Sequence, residues 1–263
     1  MFLLQKALDI AHQAKQKGIL SPIDTNSTIL EQQGIQFTVK VAADWQRRKQ
    51  KSHANVEKPN PFLPYETSLF VDDITTDHVC ILNKFPVLQP HLLLITRHFE
   101  PQDALLTQAN FNAAYQLMQR LDGNGVLFYN AGPAAGASQA HRHLQWIPHA
   151  FTDNGFDPCR HANLLAVDQY LSPIIDSQPQ SLYQLYRKGL QQLGWTPGRA
   201  YNLLITKQWM WLIPRHSADW QQISLNSLAF IGSFFAKDRD EADVLATFGC
   251  VTALRSVVGW GVK

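Results

Sequence analysis

Cysteine is scarce in this chain of 263 residues. Cys80, Cys159 and Cys250 are odd in number, widely spaced and without a CxxC pair. That argues against a disulfide framework and against a cysteine-held zinc site. A reduced, cytoplasmic setting is expected. Charged residues make up only 17% and nearly cancel, leaving +2. Without a large basic field, nucleic acid is not expected as a partner. Long apolar runs are missing too. None approaches the roughly 20 residues that cross a bilayer. The opening "MFLLQKALDIAHQAKQKG" has too short an apolar run for a secretory signal and no small-residue cleavage site. No membrane partner is expected. With 45% hydrophobic residues and no low-complexity linker, the chain can bury a full core as a single unit, 1–263.

What is present alternates between helix and strand patterns. Leu3, Leu4, Ala7, Leu8, Ile10 and Ala11 recur near helical spacing, with Gly18 where a C-cap would stand. "GIQFTVKVA" at 34–42 alternates like a strand and runs into "DWQRRKQKSHANVEKPNPFLPYE", a polar, basic, proline-bearing loop. "SLFVDDI", "HVCILNKFPVL" and "HLLLITR" read as three successive strands, and "TQANFNAAYQLMQRL" as a helix. "GVLFYNAG" and "AHRHLQWIPH" read as two more strands. The first half, about 37–150, is therefore expected to be an antiparallel sheet with a helix against it, an α+β arrangement. In the second half, about 180–263, "SLYQLYRKGLQQLG" reads as a helix, and "AYNLLITKQ" with "MWLIPRH" as a hairpin. "NSLAFIGSFFAKD" follows, and a helix around "EADVLATFGCVTALRSVV" closes the chain. Each half holds a strand pair with a lysine near its end and an aligned proline, which hints at a duplicated fold.

The stretch "NAGPAAGASQAHRHLQWIP", 130–148, sets a bare turn directly before His141, Arg142, His143 and Gln145. On a strand His141, His143 and Gln145 project together, while Arg142, Leu144 and Trp146 project opposite. Three readings compete: a His-x-His metal pair, ordinary half-buried histidines, and phosphate chemistry. The loop favours the third. Gly132, Gly136 and the alanines leave backbone N–H groups open to anionic oxygens. Ser138 and Gln139 add neutral donors, and Asn130 sits at a strand end, where its amide can reach a phosphate or the imidazole. A neutral histidine beside phosphate is a competent nucleophile toward phosphorus. Its covalent adduct splits one displacement into two easier steps, both stabilised by surrounding donors.

"FYNAGPAAGASQAHRHLQ" resembles the active-site segment of the diadenosine tetraphosphate phosphorylases (ATP adenylyltransferases), a branch of the histidine-triad superfamily. Their pattern is Asn-x-Gly-Pro-x-x-Gly-x-Ser followed by His-x-His-x-Gln. The resemblance continues in "ILNKFPVLQPHLLLITRHFE", "YNLLITKQWMWLIPR" and "NSLAFIGSFFAKD", in family order, from about Phe37 to the C-terminus. It implies a histidine-triad-like antiparallel sheet with flanking helices, in a duplicated, pseudo-dimeric form within one chain. It makes His143 the nucleophile and His141 an orienting residue. Asn130, Gly136, Ala137, Ser138, Gln139 and Gln145 match nucleotide- and phosphate-contacting positions. So do Asn83 and Lys84 after the second strand, Arg48 in the basic loop, and Asn226, Ser227, Leu228 and Lys237 near the C-terminus. Leu228 replaces a hydroxyl residue of the family, Ser233 an apolar one and Ala140 a bulkier one.

Gln145 bears on reaction class. Histidine-triad hydrolases carry a third histidine here, whereas nucleotidyl-transferring branches carry glutamine. A neutral amide holds a phosphoryl oxygen but shuttles no proton, which suits already ionised phosphate as the incoming group better than water. The resemblance thus implies phosphorolysis of a dinucleoside tetraphosphate such as Ap4A, giving ATP and ADP through a nucleotidyl-histidine. Lys84, Arg48 and Lys237 would neutralise the polyphosphate, and a divalent cation (Mg2+) would accompany it. Alternatives are a hexose-1-phosphate uridylyltransferase-like enzyme, which usually has proline where Arg142 stands, and a catalytically silent nucleotide sensor.

Overall fold

In the computed structural model the described residues are 2–43, 60–121 and 125–260. Arg48 and the basic run around it lie outside them. The helices are α1 (Phe2–Gln16), α2 (Gln108–Arg120), α3 (Pro158–His161), α4 (Pro179–Gln192), α5 (Arg239–Phe248) and α6 (Cys250–Arg255). The strands are β1 (Thr25–Gln32), β2 (Ile35–Ala42), β3 (Phe70–Asp73), β4 (His78–Leu82), β5 (Leu92–Thr96), β6 (Gly125–Ala131) and β7 (His143–Pro148). They continue with β8 (Tyr170–Pro173), β9 (Ala200–Ile205), β10 (Trp209–Arg215), β11 (Asp219–Trp220), β12 (Ile223–Ser224) and β13 (Ser233–Ala236).

An eight-stranded sheet runs β3-β4-β5-β7-β6-β9-β10-β8, antiparallel at every pairing. The expected α+β class holds. Within this sheet one topology occurs twice. β5–α2–β6–β7 takes the order β5-β7-β6, and β8–α4–β9–β10 takes the order β8-β10-β9. The two units meet back to back at the β6–β9 seam, where Asn130 pairs with Asn202. Their helices lie together, with the rings of Phe111 and Tyr186 centred 5.2 Å apart.

Several sequence expectations are corrected. The strand at 34–42 does not join the large sheet. It pairs antiparallel with β1, a strand the sequence reading passed over, and parallel with β13 from the far end of the chain. Its buried alternation of Ile35, Phe37 and Val39 is real, but periodicity cannot name a partner. β4 stops at Leu82 rather than running to residue 88. Asn83 turns the chain there, its side-chain oxygen accepting the Phe85 N–H, and Pro86 and Pro90 have no N–H for a ladder. The closing helix breaks at Gly249, whose φ of +99° leaves the helical region, so α5 and α6 are separate.

The large sheet is apolar on both faces, for different reasons. Leu94, Leu127, Leu144, Trp146, Leu203 and Leu212 meet α1, α2 and α4 on one side. The other side is covered in two patches. Phe62 lies over Val79, Ile81, Leu93 and Ile95. Phe37, Phe230, Phe234 and Leu254 lie over Phe128, Ile147, Trp211 and Ile213. Phe230 and Phe234 are thus core residues. Between the two patches, on β7, stand His143 and Gln145. The apolar covering is interrupted where the polar side chains are.

The helical layer approaches the sheet closely at Gly189 of α4. A Cβ there would lie 2.4 Å from the Tyr170 ring and 2.5 Å from Leu212 Cδ1. Gly189→Ala sets about 1 kcal/mol of helix propensity against overpacking of buried groups, roughly 1–3 kcal/mol. Overpacking should win. The variant is expected to unfold at a lower urea midpoint with unchanged m-value, and a raised midpoint would show that α4 can move away without loss.

Candidate active site

Three hydrogen bonds define the state of the two histidines. His143 Nδ1 lies 2.9 Å from the carbonyl oxygen of His141. A carbonyl only accepts, so Nδ1 carries the proton and Nε2 the free lone pair. His141 Nε2 donates to the Thr96 carbonyl at 2.9 Å, and its Nδ1 accepts from the Asn60 amide at 3.0 Å. Both nitrogens of His141 are therefore engaged, which removes the His-x-His metal pair. Burial pushes the His143 pKa down to about 4, with a further push from His141 and a partial offset from its backbone bond. His143 is neutral near pH 7. Phe62 packs against both imidazoles, with centroids 5.5 Å from His141 and 5.4 Å from His143.

Only residues from His143 onward belong to β7; His141 makes an isolated bridge to Pro101, outside the strands. The expected alternation still holds. Arg142 turns to the helical face, where it pairs with Glu100 and donates to Asn110 Oδ1 and to the carbonyls of Pro101 and Leu105, each at 3.2 Å.

Gln145 is oriented by a chain of bonds that sequence reasoning missed. The Asn83 amide donates to His91 Nδ1 (3.2 Å), and His91 Nε2 donates to Gln145 Oε1 (2.9 Å). The oxygen of Gln145 is thereby engaged, and its NH2 end has no bond to a described residue. Burial depresses the His91 pKa to about 4 as well, with His143 adding to the depression and Gln145 opposing it. His91 lies inside the quoted "ILNKFPVLQPHLLLITRHFE", but nothing in that string separates a relay from a turn residue.

Asn130 is 1% exposed, and its side-chain oxygen accepts three bonds, from Asn202 Nδ2 (2.8 Å), Ser227 N (3.1 Å) and Ser227 Oγ (2.7 Å). Asn202 also donates to the Ala135 carbonyl and accepts from Arg215, whose other bonds reach Val257, Ser217 and Leu225. Burial lowers the Arg215 pKa to about 9, so it stays charged at neutral pH. The distant segment 226–227 is thus bonded to the strand beside the histidines. Asn202 and Arg215 were missed, although a polar residue inside the apolar run "YNLLI" is the kind of anomaly that could have flagged one of them.

The other expected residues are placed as follows. Gly136 has φ +86°, and a Cβ there would meet the Leu225 carbonyl at 2.7 Å and Asn226 Cβ at 2.9 Å. Its missing side chain is used by this close approach of two segments. Ala137 is half-buried, its N–H bonded to the Gly132 carbonyl. Ser138 is exposed and Gln139 half-buried at the mouth of the turn. Asn226 caps the following turn through Leu228 N, and Leu228 packs partly into the core. Lys84 pairs with Glu66 at 2.8 Å. Lys237 pairs with Glu241 at 3.2 Å and donates to the Gln222 carbonyl, in the corner between β13 and α5. No bond to the Asn130 network is found for either lysine among the described residues.

Two family descriptions match the chain: the Ap4A phosphorylase N-terminal domain over residues 1–161 and the ATP adenylyltransferase C-terminal domain over residues 158–259. Diadenosine 5',5'''-P1,P4-tetraphosphate phosphorylase 2 of Saccharomyces cerevisiae is 29% identical, across 92% of this chain and 90% of its own length. The crystal structure of yeast Ap4A phosphorylase Apa2 superposes with a TM-score of 0.80 at 24% identity, covering 98% of this chain and 97% of its own. The Apa2 complex with AMP gives 0.77 at 25% identity with the same coverage.

Two buried neutral imidazoles have a consequence for acid stability. His91 and His143 have folded-state pKa values of about 4, below the ordinary histidine value of about 6.5. Their contribution is fully present above pH 6.5. It is lost as pH falls from 6.5 toward 4, where the unfolded chain takes up protons that the folded one refuses. Near pH 5 the slope should approach two protons, about 2.7 kcal/mol per pH unit. Urea unfolding at stepped pH measures it; stability flat between pH 6.5 and 4 would show that both rings charge freely in the fold.

Proposed function

The chain belongs to the Ap4A phosphorylase family, and from that membership we propose that it phosphorolyses dinucleoside tetraphosphates, converting Ap4A and phosphate to ATP and ADP. The observation that carries the reading is the bond from His143 Nδ1 to the His141 carbonyl. It leaves a neutral Nε2 lone pair, which in this reading attacks the α-phosphorus, expels ATP and holds the nucleotide as a covalent adduct. Phosphate then attacks the same phosphorus, releasing ADP and restoring the imidazole. His141 orients the nucleophile through its carbonyl, and the NH2 ends of Gln145 and Asn130, with the backbone and side chains of residues 136–139, bind phosphoryl oxygens. Neutral amide donors suit both steps, since neither requires a proton to be taken from the incoming group.

Lys84 and Lys237 are proposed to exchange their carboxylate partners, Glu66 and Glu241, for polyphosphate oxygens; Arg48 is proposed to join them. Asn83, Asn226, Ser227 and Leu228 complete the proposed nucleotide contacts. A divalent cation, Mg2+ in this reading, travels with the polyphosphate. The imidazole and amide groups around His143 suit phosphate oxygens, whereas Mg2+ prefers oxygen anions and water, so no step is assigned to it. A cytoplasmic setting fits three unpaired cysteines; no helix among the described residues is long and apolar enough to cross a membrane.

Chromatography of the products tests the reaction. With phosphate, ATP and ADP should form in equal amounts. Without it, one ATP per protein should be released and a nucleotidylated chain should accumulate. His143→Ala should lose at least roughly a thousandfold in kcat, and His141→Ala less. Steady AMP formation in phosphate-free buffer would make the protein a hydrolase and end this reading.

The lysine exchange has its own signature in KM. Lys84→Ala should raise the KM for Ap4A about tenfold, since a charge-assisted contact is worth roughly 1.5–3 kcal/mol. Glu66→Gln should lower KM by freeing the ammonium. If both variants keep the wild-type KM, Lys84 belongs to the solvated surface.

A further inference from the structure

The β6–β7 ladder runs from Gly125↔Pro148 to Phe128↔Gln145 and then stops. Continued in register, it would set Tyr129 opposite Leu144 and then Asn130 opposite His143. A side chain stands there instead. Gln102 Nε2 donates to the Asn130 carbonyl (2.9 Å) and the His143 carbonyl (3.1 Å), and Gln102 Oε1 accepts the His143 N–H (2.7 Å). Gln102 is 2% exposed, and its amide is used on both ends.

The segment that brings it there is firmly tied. Gln102 N–H bonds to the Ala140 carbonyl at 2.8 Å, and Arg142 N–H to the Glu100 carbonyl at 2.7 Å. The Tyr129 hydroxyl donates to the carbonyls of Gln102 and Ala104. The Arg142 guanidinium gathers Glu100, Pro101 and Leu105 from below. Such a brace could be purely structural, as a cross-link between two strands. Its position argues for more, because two of its three bonds fall on the backbone of His143 and the third on Asn130.

We propose that Gln102 is a positioning residue for the phosphorolytic reaction. Its amide replaces one rung of the sheet, keeps β6 and β7 parted where the phosphoryl group must enter, and fixes His143 and Asn130 relative to each other. The proposal rests on the reading of His143 as nucleophile. An error of about 1 Å in such a placement costs on the order of a hundredfold in rate, without changing how the distant nucleoside ends bind.

Two variants read this directly. Gln102→Met keeps the volume and removes all three bonds. Gln102→Glu keeps the acceptor for His143 N–H, but a carboxylate repels both carbonyls; once protonated, it regains one donor. For Gln102→Met, kcat should fall about a hundredfold or more with KM for Ap4A within threefold, measured on protein whose folded fraction is established by near-UV circular dichroism. For Gln102→Glu, kcat should climb as pH falls from 8 to 6, because burial raises the carboxyl pKa, while the wild type shows no such rise. Should Gln102→Met fail to fold, the glutamate profile decides alone. A kcat within threefold of wild type in either variant at pH 8, a rate loss carried by KM, or a glutamate variant without acid recovery overturns the proposal. The wild type assayed alongside separates the claims. Normal ATP and ADP production by wild type and variants alike defeats only the role of Gln102, whereas a wild type that hydrolyses or is inert defeats the underlying reading.

Discussion

Three donors converge on one buried oxygen, the side-chain carbonyl of Asn130. Through Asn202 it closes the β6–β9 seam between the two halves of the sheet. Through Ser227 it brings in a segment almost a hundred residues further along the chain. Asn202 in turn holds the Ala135 carbonyl, so the small-residue turn hangs from the same point. Each bond is worth only about 1 kcal/mol net, but removing one member strands its neighbours without water, and that loss is larger. The packing of Gly136 against Leu225 and Asn226 presupposes this arrangement. A Cβ would drive apart the backbones that the Asn130 oxygen draws together.

Burial does the electrostatic work around the histidines. The largest influence on both His143 and His91 is desolvation, and a neighbouring imidazole adds to it, His141 for His143 and His143 for His91. Two adjacent rings cannot both charge inside an apolar sheet face, so both stay neutral and each must find partners as a donor on one side and an acceptor on the other. His91 finds Gln145 and Asn83. His143 finds only the His141 carbonyl on one side, and its other nitrogen has no bond to a described residue. That asymmetry is what singles out Nε2.

The sequence revealed the local chemistry better than the assembly. The alternation of His141, His143 and Gln145 against Arg142, Leu144 and Trp146 was readable because strand periodicity is a short-range property. The Gly-Pro-x-x-Gly turn was readable because positive φ at Gly132 and Gly136 is a local demand. Partners were not readable. β2 looks like any amphipathic strand, and only the far end of the chain decides that β13 lies beside it. Gln102 sits in "FEPQDALL", where a buried brace and a surface loop residue look the same. His91 stands one residue after a proline and carries no periodic signal. These residues matter through three-dimensional partners from β6, β7 and the loops, and a pattern along the chain records none of them.

The duplicated topology shows how the site came to be on one side only. Both halves offer the same strand–helix–strand–strand frame, and in both the second strand of the hairpin carries alternate residues toward the face away from α2 and α4. On β7 those residues are His143 and Gln145. On β10 they are Trp209, Trp211 and Ile213, joined by the fully buried Arg215. The second face is filled. Phe156 stacks with Trp211, Phe230 meets it edge-on, and α6 packs beneath. A frame repeated twice therefore serves two ends. One copy spends its open face on burying the C-terminal cover. That cover, through Ser227, in turn holds the Asn130 side chain at the edge of the face the other copy keeps polar.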